Sequence, residues 1–396
     1  MQVATTLGFV ALVSAALGTT TAAPPGSAKP PAAAETLFWS EAQKIAGFPH
    51  MEDQFSTHTA HSGSHIHPLP AGTPISFTVP VAGRSLTLDQ FMSDQQTAGL
   101  LVIQNGRIRL EKYALGLEPA GRWTSFSVAK SFTSTLVGAA VKDGYIRSIN
   151  DPIVRYIPAL KGSAYDGVTI RQVLTMTSGV KWNEDYADPK SDVAKLFSVT
   201  PDSGMDSTVS YMHKLPREAP PGTNWVYKTG ETNLIGVLVT AATHKTLADY
   251  LSEKIWKPYG MQESAFWITD ERGQETGGCC LSMALRDYGR MGTFMLGGAK
   301  AGGKPVLPEG WIAAATHREA NTGQPGRGYG YQWWTEDDGS YNAYGIFGQL
   351  IHIDPKRQLV IVISSAWPTA VGRETEAAQE DLIDAAKQAV DADPAH

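Results

Sequence analysis

Two groups of strand-like segments, set at opposite ends of a helix-rich middle, limit the folds open to this chain. Residues 100–104 and 107–113 are apolar or alternating runs joined by Asn105-Gly106. That dipeptide suits a type I′ turn between two antiparallel strands. Residues 75–81 alternate loosely ahead of them. After residue 328 strand character returns at residues 329–334, 344–353 and 359–366, with a tight turn from Asp354-Pro355 to Gln358, and residues 374–390 close the chain as an amphipathic helix. Neither group of strands is large enough to be stable alone. Both are therefore expected in one sheet, and strands segregated from helices in this way argue for an antiparallel sheet flanked by helices. The fold class is α/β (α+β), with a large, mostly helical region, about residues 145–300, inserted between the strand groups. Within it, Thr169 opens a short helix over 170–176, residues 234–242 and 247–256 form two more, and 283–295 another.

The segment Ser125-Phe126-Ser127-Val128-Ala129-Lys130 lies where the first strands give way to helix. Three-residue spacing puts Ser127 and Lys130 on one helical face, about 5–6 Å apart at Cβ. An unprotonated amine there can take the serine proton, and a helix N-terminus favours the anion that forms. Phe132, Leu136, Val137, Ala140 and Val141 recur at helical spacing and would anchor the helix, with Asp143-Gly144 as its stop. A single S-x-x-K is weak evidence, since an N-capping serine followed by a solvated lysine gives the same letters.

Two later segments add to it. Pro220-Pro221-Gly222 leads into Trp225-Val226-Tyr227, and a phenol beside the lysine amine can relay a proton to a leaving group. Tyr344-Gly345-Ile346-Phe347-Gly348-Gln349 reads as strand, where glycines often mark close approach of backbone to a ligand. A backbone N–H there can complete an oxyanion hole with the N–H of Ser127. Alternatives remain at this point: Tyr227 standing alone is more often a packed aromatic, and Trp182, Trp225, Trp333 and Trp334 fit a cleft wall or a core.

Composition narrows the partners. The net charge of −6 is modest and spread out, with no basic stripe, so nucleic acid is not expected. A small-molecule substrate is. Residues 7–17 form an apolar run too short to span a bilayer, followed by Thr21-Ala22-Ala23. Together they read as a signal peptide over residues 1–23, although its start lacks Lys and Arg. Export to the periplasm or medium is expected, with a cytoplasmic location the alternative. Residues 24–70 are expected as a leader and N-terminal extension, and 71–396 as the functional domain. Five histidines fall within residues 50–67, but no H-E-x-x-H or Cys accompanies them, so neither a metal nor any other cofactor is expected. Cys279 and Cys280 are the only cysteines. As neighbours they are expected to stay unbonded and packed as small apolar residues. Oligomeric state is not legible.

Taken together, S-V-A-K at Ser127 to Lys130, Y-K-T at Tyr227 to Thr229 and G-I-F-G-Q at Gly345 to Gln349 resemble the serine β-lactamase and penicillin-binding-protein superfamily. The order and spacing match the class C β-lactamase branch, which includes family VIII carboxylesterases and 6-aminohexanoate-dimer hydrolases. The resemblance covers about residues 85–390. It implies Ser127 as a nucleophile that forms an acyl-enzyme, Lys130 and Tyr227 as acid–base groups, and the amides of Ser127 and Gln349 around the oxyanion, with Ile346 and Gly348 in the same motif. Lys228-Thr229-Gly230 spells another family motif but overlaps the Tyr segment and reads as coincidence. Ser191-Asp192-Val193 only half-spells another. Penicillin-recognising members carry Lys or His where this chain has Ile346, so a small ester or linear amide is the expected substrate. A β-lactamase or D-amino-acid peptidase, and a non-catalytic ligand sensor, are the alternatives. By the same resemblance, Tyr186 in Glu184-Asp185-Tyr186 is placed over the substrate amide, and Trp334 near it. No G-x-S-x-G occurs, which speaks against an α/β-hydrolase.

Overall fold

In the computed structural model, which describes residues 33–393, eight antiparallel strands form one sheet. In chain order they are β1 (Thr97–Gln104), β2 (Arg107–Tyr113), β3 (Ala320–Asn321), β4 (Arg327–Tyr329), β5 (Trp334–Glu336), β6 (Tyr341–Gly345), β7 (Gln349–Asp354) and β8 (Leu359–Ser365). Their spatial order is β3-β4-β5-β6-β7-β8-β1-β2. The N-terminal hairpin therefore docks edge-on against the C-terminal strands, through β8 pairing with β1. Asn105 and Gly106 have φ of 50° and 70°, as a type I′ turn requires.

The continuous apolar run of β1 has a simple cause, since the sheet is covered on both faces. Leu100 and Val102 face the C-terminal helix with Leu350, Ile361 and Ile363, against its Leu382, Ile383 and Ala386. Leu101 and Ile103 face the other way with Ile351, Val360 and Val362, against the helical region. The helices that matter below are α1 (Ala129–Lys142), α2 (Thr229–Thr243), α3 (Leu285–Leu296) and α4 (Arg373–Ala392). α1 is buried over twelve of its residues, Ala129 to Ala140, which fixes its N-terminal end in place.

Several expected boundaries shift. The run 344–353 is not one strand: β6 and β7 are joined by a three-residue hairpin at Ile346-Phe347-Gly348, with φ of 60° at Phe347 and 87° at Gly348. The run 329–334 likewise splits, because Gln332 takes φ 63° and the chain turns between β4 and β5. The helix expected over 283–295 begins as a strand, Leu281–Ala284. That strand belongs to a four-stranded sheet inside the mostly helical region, in the order Thr57–Ala60, Ala265–Ile268, Leu281–Ala284, Arg122–Thr124. The N-terminal extension is thus woven into the fold: Thr57–Ala60 pairs with Ala265–Ile268, and His58 Nδ1 lies 3.0 Å from the buried carboxylate of Glu275. The segments read as a signal peptide, residues 7–17 and 21–23, lie outside the described residues. Among the described residues no helix is long and apolar enough to cross a membrane.

Candidate active site

Ser127 sits at a break between a strand and a helix. Arg122–Thr124 ends at Ser125, whose N–H donates to Leu281 O (3.1 Å) and whose Oγ accepts from Leu281 N (3.0 Å). Phe126 then takes φ 42°, a left-handed conformation that costs a residue with a side chain on the order of 1–3 kcal/mol. It is held there by rings on either side, Phe48 at 5.0 Å and Phe347 at 5.2 Å between centroids. The short 3-10 turn Phe126–Val128 follows and runs straight into α1. Ser127 is half-exposed, while its neighbours Phe126 and Val128 are buried.

One helical turn on, Lys130 is 1% exposed. Its Nζ has three oxygens around it: Ser127 Oγ at 2.9 Å, Thr229 Oγ1 at 2.9 Å and the Gly278 carbonyl at 2.8 Å. Burial lowers the ammonium from its ordinary value to about 7, although Glu184 nearby raises it. An ammonium would donate to all three oxygens, and the neutral amine that burial favours satisfies the same shell with two N–H groups and a lone pair. The Gly278 carbonyl can only accept. Thr229 gives its O–H to Glu184, so it too accepts from the amine. That uses both N–H groups, and the remaining lone pair faces the Ser127 hydroxyl, which then donates to it.

Neighbouring groups hold this shell. Glu184 accepts from Thr229 N at 2.9 Å, from Thr229 Oγ1, from the indole of Trp182, and from Tyr186 OH at 2.8 Å. Its charge lies at the N-terminus of α2, where a carboxylate is favoured. Asn233, one turn into α2, accepts from Gly278 N at 2.8 Å and so aims the Gly278 carbonyl. A side chain at Gly278 would come within 2.9 Å of Asn233 Oδ1 and Thr229 O. Tyr227, just ahead of α2, lies with its ring centroid 5.0 Å from Lys130 Nζ and its phenol hydrogen-bonded to Ser127. Burial, and secondly Glu184, push the Tyr227 phenol above its ordinary value, with the bond to Ser127 opposing. It therefore stays protonated at neutral pH.

The end of β6 closes the other side. A Cβ on Gly345 would lie 2.5 Å from Ser125 O and 3.2 Å from Ser127 N, so the strand reaches the serine backbone only because residue 345 is glycine. Gly345 and Ile346 line the cavity above Ser127. Gly348 and Gln349 do not. The Gln349 side chain is 1% exposed and turned into the sheet, donating to Ser365 O (2.7 Å) and Phe347 O (3.0 Å). It braces the hairpin from behind. We predict that Gly345→Ala lowers kcat/KM by about 10²-fold or more, the scale of one lost oxyanion donor, measured on any ester the wild type cleaves. Wild-type rates in that variant would remove the β6 edge from the site.

The cavity, about 390 Å³, is walled by Tyr227, Trp225, Trp334 and Tyr344. Tyr227 and Trp334 stack at 5.6 Å between centroids. Of the four tryptophans considered from sequence, Trp225 and Trp334 line it, while Trp182 and Trp333 are core. Tyr186 borders it too, with its phenol raised well above its ordinary value, first by burial and then by Glu184. Cys279 and Cys280 differ from expectation: they are joined in a vicinal disulfide. The φ of 67° at Cys280 breaks the usual alternation of neighbouring side chains and lets both sulfurs meet. Glu184, Thr229, Gly278 and Asn233 had no role in the sequence reading. The Y-K-T and E-D-Y segments held two of them, but hydroxyl and carboxylate partners are ordinary residues whose meaning comes from tertiary contact.

This geometry sets a half-exposed hydroxyl beside a buried amine at the end of a strand of the antiparallel sheet, and the class of protein it fits is a serine hydrolase. Residues 86–385 match the model of the beta-lactamase family, and the chain belongs to that family. It is 29% identical over 345 residues to a 6-aminohexanoate-dimer hydrolase of Paenarthrobacter ureafaciens, covering 83% of this chain and 88% of that one. A solved structure of a candidate 6-aminohexanoate-dimer hydrolase from Bacillus anthracis superimposes with a TM-score of 0.78 at 25% identity, covering 87% of this chain and 94% of the other. A penicillin-binding protein from Bacillus halodurans shares the fold at a TM-score of 0.58, with 19% identity and 74% and 99% coverage.

Proposed function

We propose that this enzyme hydrolyses small esters or linear amides through an acyl-enzyme on Ser127. Lys130 takes the hydroxyl proton as Oγ attacks the substrate carbonyl. The oxyanion is held by the backbone N–H of Ser127 and, in place of Gln349, that of Ile346, whose residue faces the cavity. As the bond to the leaving group breaks, Tyr227 gives its proton to the departing nitrogen or oxygen and recovers one from Lys130. Water then attacks the ester on Ser127 by the reverse route, releasing the acid and restoring the serine hydroxyl. The observation that carries this reading is the buried amine of Lys130 set 2.9 Å from Ser127 Oγ, with its other two neighbours, Thr229 Oγ1 and Gly278 O, both acceptors, so that loss of one proton leaves a lone pair toward Ser127.

A linear substrate is favoured over a β-lactam by charge. The cation in the cavity wall, Arg327, is committed to Glu336 (3.0 Å) and Glu380, and Ile346 offers none beside Ser127. Tyr186 adds a preference for amides. Its O–H is donated to Glu184, which leaves oxygen lone pairs able to accept the N–H of a substrate amide. An ester has no such hydrogen. Tyr186→Phe is therefore expected to slow a linear amide about 5- to 10-fold more than the matching ester, the worth of one hydrogen bond. Paired kcat/KM values on an amide, its ester and a β-lactam test the function itself. Equal losses on amide and ester end the role of Tyr186, and a β-lactam turned over fastest of the three overturns the substrate class.

A further inference from the structure

Ser127 opens onto two spaces of very different size. One is the cavity of about 390 Å³ described above. The other shares Ser127, Tyr186 and Ile346 with it and holds only about 20 Å³, little more than one water-sized group. Its walls are mainly apolar, with Leu37, Phe126, Val193, Phe197, Ile346 and Cys280, beside Thr36, Tyr186 and Thr229, and no carboxylate, ammonium or guanidinium side chain borders it. Leu37 belongs to the 3-10 turn Ala33–Phe38, which precedes the family-matched region. It packs with Phe126, Cys280 and Ile346 in one apolar cluster.

The proton donor decides which half of a substrate goes where. Tyr227 lines the large cavity and not the small one. A leaving group must lie beside its proton donor, so it occupies the large cavity, and the acyl chain is left with the small apolar pocket. We propose that this enzyme transfers short uncharged acyl groups, acetyl or propionyl, from a bulky leaving group, and that Leu37 of the N-terminal segment sets this limit together with Phe197. The inference rests on the acyl-enzyme reading above. It assigns to Leu37, which precedes the family-matched residues 86–385, a part in substrate selection. A charged or long acyl chain would have to displace Leu37 or leave its charge unpaired against carbon.

The test is a p-nitrophenyl ester series of acetate, butyrate and octanoate, with the leaving group held constant. In a filled apolar pocket one methylene changes kcat/KM by about 10- to 200-fold. We expect the wild type to prefer acetate over butyrate by at least about 10-fold, and octanoate to be poorer still. Leu37→Ala is expected to raise the butyrate-to-acetate ratio by about 10-fold. Phe197→Ala, on a separate element, is expected to raise it likewise, so a folding failure in one variant leaves the other to decide. Equal rates on acetate and octanoate in the wild type, or an unchanged ratio in every folded variant, overturn the proposal while leaving the hydrolase reading intact. No turnover or acylation of Ser127 with any ester overturns both.

Discussion

Ser127→Ala is expected to lower ester hydrolysis by about 10⁴-fold or more, the scale seen when a nucleophile is removed from a concerted set of groups, with the melting temperature nearly unchanged. Its hydroxyl is half-exposed and contacts only Lys130 and Tyr227 among the groups described above, so little packing is lost. Intact-mass measurement sharpens the result: the wild type gains the acyl mass on Ser127 under single turnover, and the variant gains none. Two other hydroxyls lie close enough to be rivals, and both are spoken for. Ser125 is fully buried and donates to Phe126 O at 3.0 Å, while Thr229 donates to Glu184. Retained activity in Ser127→Ala, or an adduct on another residue, would end the mechanism.

The reach of the sequence differs between scaffold and site. The hairpin at Asn105-Gly106 and the helix start at Thr169, which the structure shows closed by a capping box with Gln172, were legible because local chemistry decides them. The pairing of β1 with β8 followed from the need to bury both groups of strands. What stayed hidden depends on contacts between distant segments. Nothing local marks 346–348 as a turn: Phe347 is driven to a positive φ while its ring packs between Phe48 and Phe126. The same holds for Thr57–Ala60, whose short, polar Thr-His-Thr-Ala sequence lies in a run without apolar alternation but whose partner strand supplies the ladder.

In the site, Ser127, Lys130 and Tyr227 lie together, and the Gln349 side chain is turned away from the cavity. Sequence could place the β6–β7 segment near the serine but not say which of its amides faces outward. That depends on the hairpin, which turns the Gln349 side chain toward Ser365 and leaves Ile346 at the cavity. The cysteines show the same limit: adjacent cysteines resist bonding in an ordinary backbone, and only the left-handed turn at Cys280 changes that.

The pH dependence of kcat/KM is expected to rise through about pH 7 as Lys130 of the free enzyme loses its proton. The sign follows from burial. Desolvation penalises the ammonium and brings it down to about 7. Below that pH the amine carries a third hydrogen, its lone pair is gone, and the Ser127 proton has no acceptor. Above it the neutral amine is ready. Tyr227 makes a discriminating rival, because its phenol is pushed above its ordinary value of 10.0. A mechanism using the Tyr227 phenolate as resting base would place the rising limb above pH 10. Glu184 supplies an internal check. Its charge raises the Lys130 value, so Glu184→Gln should move the limb to lower pH, whereas a purely structural role would lower the rate without moving it. Lys130→Met, which keeps the length of the side chain but has no lone pair of comparable basicity, is expected to cost about 10³-fold, within the usual range for a positioned base. A profile flat from pH 5 to 9 would mean that Lys130 does not carry the proton, and the count of hydrogen bonds around its nitrogen would then describe a structural amine alone.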